Sequence, residues 1–181
     1  MDHLFAAFII IGVMLEIYEL NRARLVALPT RKISALLTSL LSSALVYGLF
    51  MIAGFYAQAL LPELGVIAQN GLAVALIAVV VAYSLFRDKR YNKAGKMVYG
   101  SFNLFLLIAV GRGILHLITG FILALMAVPG LWVLESYAFG VIIFGIGVIL
   151  AKGDRVRIFG ISVGYIKVVS YAIATLLILI N

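Results

Sequence analysis

Apolar residues run along this chain in six long blocks, at about 4–23, 33–61, 64–86, 97–128, 131–150 and 158–180, each set off from the next by a short polar or turn-forming segment. Every block matches or exceeds the ~20 residues that carry an α-helix across a hydrocarbon core of ~30 Å. The pattern predicts an all-α polytopic membrane protein with six transmembrane helices. It forms a single transmembrane domain over 1–181, because no polar stretch between the blocks can hold a soluble one. The fourth block would make a helix of about 48 Å, well beyond the bilayer core. It is expected to be overlong and either tilted or kinked near Gly111 and Gly113.

The basic residues set the orientation. All Lys and Arg except Arg112 and Lys167 fall in three clusters: Arg22, Arg24, Arg31 and Lys32; Arg87, Lys89, Arg90, Lys93 and Lys96; Lys152, Arg155 and Arg157. The positive-inside bias puts these clusters on the cytoplasmic face and the turns at Pro62-Glu63 and Pro129-Gly130 outside. The spans then group as three hairpins around basic loops, with both termini on the non-cytoplasmic side. Splitting the fourth block into two spans would move Lys152, Arg155 and Arg157 outside, which rejects a seven-span scheme. The leading block opens Met1-Asp2-His3, without a basic n-region or a small-residue cleavage site, and is expected to be a retained span. The pairs Lys32-Ile33, Lys96-Met97 and Arg157-Ile158 recur at similar spacing and raise the idea of an internal triplication.

Composition narrows the class further. Hydrophobic residues make up 65% and charged residues 12% of the chain, a balance that excludes a soluble globular domain. The net charge of +7 belongs to the loops of a cell inner-membrane protein, so no nucleic-acid partner is expected. Absence of cysteine excludes disulfides, thiol nucleophiles and Cys-ligated metals. No hydrolase triad, HExxH helix or phosphate-binding glycine loop is present, and the chain reads as a non-enzyme without a cofactor.

The glycine-bearing stretches Phe144-Gly145-Ile146-Gly147 and Ile114-Leu115-His116-Leu117-Ile118-Thr119-Gly120 resemble those of small bacterial inner-membrane proteins built from three hairpins, such as the acid-resistance membrane proteins. These motifs assign no family. Ser162-Val163-Gly164-Tyr165 is similar to a potassium-channel filter, but Ile166 replaces the second glycine and the stretch follows a basic loop. Lys167 in the last span is similar to the Schiff-base lysine of retinal proteins, yet those have seven spans and no acid stands one turn before it here.

Small residues predict helix contacts. Ser34, Thr38 and Ser42 form one i, i+4 line on the second span, and Ala35, Ser39 and Ser43 the next; Gly160 and Gly164 have GxxxG spacing on the sixth. Ser39, Ser43, Gly160 and Gly164 are therefore expected in packing faces, whereas Ala73 is expected to meet lipid.

Within the spans remain Glu16, Glu19, Arg112, His116, Glu135 and Lys167. A charge at mid-bilayer costs at least about 2.5–3.5 kcal/mol, so each requires a partner, water or a function. Counted from the external ends, all but the shallow Glu135 lie about 18–24 Å deep. Glu16 and Glu19 share one helix face, as do Arg112 and His116. Glu19 also has Arg22 within reach on its own helix. Glu16, Arg112, His116 and Lys167 form the expected ligand- or ion-binding site, with Glu19 and Glu135 secondary. Arg112 and Lys167 suit an anionic group; Glu16 with His116 suits a coupling proton. Donors for a metal cation would be Glu16, Glu19 and His116, with the metal unknown.

Two functions fit this layer: a small transporter or channel with a mid-membrane site for an ion, proton or small anionic solute, and a non-catalytic membrane subunit whose charges pair with another protein. The expected partners are the lipid bilayer and either further copies or other membrane subunits. Charges turned inward on one another favour the first reading, and charges on a lipid-facing stripe the second.

Overall fold

The structure, a computed structural model, describes residues 4–28, 33–61, 63–91, 99–150, 157–158 and 161–180. It contains six helices long and apolar enough to cross a membrane. They are α1 (Leu4–Ala27), α2 (Ile33–Ala57, continued by a 3-10 turn Gln58–Leu60), α3 (Val66–Tyr91), α4 (Phe102–Leu125), α5 (Gly130–Leu150) and α6 (Val163–Ile180). A two-residue antiparallel pair, β1 (Arg157–Ile158) with β2 (Ile161–Ser162), leads into α6.

Two ends differ from expectation for local reasons. Ser101 takes an extended conformation and separates α4 from Tyr99 and Gly100. At the other end Ala127 adopts a positive φ, while Val128 N–H donates to Leu123 O and Ala127 N–H to Ala124 O. This pairing caps the last carbonyls of α4, and Pro129 follows where a helix cannot continue. The fourth span is thus 24 residues long, not overlong, and is helical through Gly111 and Gly113. The first helix runs past the expected 23 to Ala27, so Arg24 is helical rather than part of a loop, and both Arg22 and Arg24 are buried.

α1 is the axis of the bundle and packs on α2, α4, α5 and α6, while α3 packs on α4 and α6. The register of the contacts gives the direction of each helix. Gly12 faces Tyr171 and Glu16 meets Lys167, so α1 and α6 are antiparallel. Asn70 with Ile178 and Ser84 with Lys167 make α3 antiparallel to α6 as well. Gly140 against Met14 and Gly147 against Tyr18 make α5 parallel to α1. Phe50 against Gly113 and Leu117 against Gly54 make α4 parallel to α2. Asn21 against Ser43 and Arg24 against Ser39 make α2 antiparallel to α1, so successive helices alternate in direction.

The most extensive pair is α2 with α4, and glycine makes it so. A Cβ on Gly54 would overlap the backbone carbonyl of Leu117, and one on Gly120 the carbonyl of Met51. Two helices meeting backbone to backbone maximise dispersion contact, which in lipid replaces the hydrophobic drive. Ala73, expected at the lipid face, is instead wholly buried in the core cluster. It shares a helix face with the buried Ile77 and Val80, the stripe α3 turns to the bundle. Ser39 and Ser43 are buried while Ser34 and Thr38 face outward. Gly164 is half-buried, and Gly160 lies outside the described residues.

Candidate functional site

Helix α1 carries Glu16 and Glu19 one turn apart, and both converge on Lys167 of α6. The approach depends on Gly12: any side chain there would strike the ring of Tyr171, which lies one turn beyond Lys167 on α6. With α6 held this close, Lys167 Nζ donates to Glu16 Oε1 at 2.8 Å, to Glu19 Oε2 at 2.6 Å and to Ser84 Oγ at 3.1 Å. Three oxygens satisfy the three ammonium donors. Ser84 in turn donates to Glu16 Oε1 at 3.0 Å, and Arg112 of α4 approaches Glu16 Oε2 at 3.5 Å.

Two carboxylates and two cations from α1, α4 and α6 thus share one site, with a hydroxyl from α3. Glu16, Arg112 and Lys167 are 2–3% exposed, whereas the Glu19 side chain is 20% exposed and forms the wetter edge. Buried pairs of this kind add little net stability over apolar packing, but removing one partner strands the rest. Lys167 stands about 6 Å along α6 from Val163, which places the cluster in the half of the bundle nearer the basic loops.

His116 lies one turn beyond Arg112 on α4 and is 1% exposed. Its ring lies against Tyr47 of α2, tilted by 59° with ring centroids 4.0 Å apart. Thr119 follows on the same face, buried and donating to Leu115 O. Glu19, Glu16, Arg112, His116 and Thr119 therefore form a polar file from the basic half of the bundle toward the opposite end.

On the other side of α1 a second polar layer faces α2. Asn21 donates to Ile17 O and to Ser43 Oγ at 2.8 Å. Arg24 donates from Nε to Ser39 Oγ and from NH1 to Tyr99 O at 2.7 Å, and its guanidinium lies over the rings of Phe102 and Phe105. The two serines expected only to allow close packing are thus also acceptors that tie α2 to α1.

Of the residues expected in the site, Glu16, Glu19, Arg112 and Lys167 come together, and His116 stands one turn away beside Tyr47. Glu135 is exposed on α5 and does not join them. The cation set Glu16, Glu19 and His116 does not converge, because Lys167 occupies the space between the two carboxylates; no metal-binding group of His, Asp and Glu occurs among the described residues. Ser84, Tyr47, Asn21 and Arg24 were not anticipated. Ser84 follows Tyr83 near the end of an apolar run, and only the burial of its neighbours on one face of α3 distinguishes it. Comparison with family models, curated proteins and solved structures gave no match to this chain.

Proposed function

We propose that the protein is a small multi-pass transporter of the cell inner membrane, without enzymatic activity, that binds an anion together with a proton at the Glu16–Lys167–Arg112 cluster. The supporting observation is the inward convergence of two acids and two bases around α1. A subunit that recruits a partner through intramembrane charges would display them outward. A buried site of balanced charge stays balanced on binding an anion only if a proton enters with it. The incoming anion takes a carboxylate's place on Lys167, with Arg112 close by. The displaced carboxylate holds the proton, and His116 lies on the route to the opposite end.

In this reading the basic loops are cytoplasmic, both termini are external and the six spans act as one domain of three hairpins. A cysteine at position 92 is labelled by impermeant reagent only after permeabilisation, and one at 63 without it.

The functional test is reconstitution into vesicles loaded with a pH-sensitive dye, followed by addition of phosphate, succinate, butyrate or dodecanoate. Protein-dependent proton movement with at least one anion, absent in the Lys167→Met/Glu16→Gln double variant, is expected. No protein-dependent proton movement with any of them, in vesicles whose protein remains folded, contradicts the reading.

A further inference from the structure

An open groove of about 600 Å³ separates α3 from α6 on the outer surface of the bundle. Its walls are apolar: Val74, Ile77, Val81 and Leu85 on α3 face Tyr171 and Leu176 on α6. From Val74 to Leu85 it runs for about 16 Å along α3. At one end its lining residues Leu85 and Val168 are the chain neighbours of Ser84 and Lys167. Ser84 shares a helix face with Val81 and Ile77, Lys167 shares one with Tyr171, and the 3.1 Å contact between Ser84 Oγ and Lys167 Nζ bridges the two walls.

An apolar tail gains little by leaving lipid for such a groove, so any selectivity must come from its head. The head group would meet Lys167, with Arg112 beyond Glu16. The cluster is balanced, Glu16 and Glu19 against Arg112 and Lys167. A head that displaces Glu19 from Lys167 must therefore itself be an anion to keep the ammonium paired, whereas a cationic head would stand against that ammonium. A single groove takes one chain. Helix α3 also packs on α4 and α6 alone among the extensive contacts, which leaves it able to part from α6 and open the bridge.

We propose that this groove admits a single-chain amphiphile with one anionic head, such as a long-chain carboxylate, sideways from the bilayer. The chain lies between α3 and α6, and the carboxylate replaces Glu19 on Lys167. This rests on the anion-and-proton reading above and specifies its substrate class.

The probe is spin-labelled stearate in nanodiscs of phosphatidylcholine, compared with its methyl ester and with spin-labelled phosphatidylcholine. The free acid should show a motionally restricted fraction at least about threefold larger than either control. Ala172→Phe, which fills the groove from an exposed position, should abolish that excess while leaving the melting temperature unchanged. The Lys167→Met/Glu16→Gln double variant should abolish it too, with the groove intact. Equal restriction of acid, ester and phospholipid identifies ordinary boundary lipid and overturns the proposal, as does an excess that survives Ala172→Phe. Proton movement driven by phosphate, succinate or butyrate that persists in Ala172→Phe, with no selectivity for the labelled acid, would remove the amphiphile alone and leave the anion reading standing.

Discussion

Helices α1 and α3 are both apolar enough to span a membrane, yet 72% of the most apolar window of α1 is buried inside the bundle and only 17% of that of α3. Apolarity does not decide the difference, because lipid tails are as apolar as Leu. What α1 has and the apolar span of α3, Val66–Phe86, lacks is a set of charged groups that lipid cannot satisfy: Glu16, Glu19, Arg22 and Arg24, joined by Asn21. These draw in Lys167, Arg112, Ser39 and Ser43, and a helix with such demands on several faces must sit at the axis. Helix α3 contributes Ser84 and the Ala73–Ile77–Val80 stripe, and gives the remaining face to lipid.

The contrast can be broken most sharply at Lys167. Lys167→Met strands Glu16 and Glu19 and should cost about 3–5 kcal/mol in reversible unfolding in mixed micelles. Leu85→Ala on the exposed side of α3 should change stability by less than about 0.5 kcal/mol. Next comes the glycine contact: Gly120→Leu forces α4 off the Met51 carbonyl and should cost about 3 kcal/mol. Gly71→Leu on α3, where a Cβ meets open space, should be close to neutral in the same assay. Ser39→Ala removes the acceptor of the buried Arg24 Nε and should cost about 1–3 kcal/mol. The smallest effect sharpens the view of α3 itself. Ala73→Leu should lower stability by about 1 kcal/mol, and Ala78→Leu, five residues on and exposed, should not.

The spans and their polar interruptions were legible in the sequence because length and hydropathy alone define a helix that must cross a bilayer. The charged layer was legible for the same reason, since Glu16, Arg112 and Lys167 are each too costly to leave in lipid. Packing was not. Gly54 and Gly120 carry the tightest helix contact, yet nothing in either local sequence sets them apart from Gly71 or Gly111, which have open space. Which glycine meets a backbone depends on the rotation of two helices distant in sequence. Arg24 was read as a loop residue because charge alone marks a membrane boundary, whereas Ser39, the Tyr99 carbonyl and two phenylalanine rings let it stay inside. Ala73 was misplaced because alanine suits lipid and core equally.

The central claim is that Glu16 and Lys167 meet inside the bundle and hold α1 at its axis. A double-mutant cycle with Glu16→Gln and Lys167→Met, read as unfolding free energies, tests it directly. Each single change should destabilise strongly, and the double variant should recover part of the loss, giving a coupling energy above roughly 1 kcal/mol. Additive losses, with coupling near zero, would show that the two side chains do not interact and would contradict the charged cluster as the organiser of the fold.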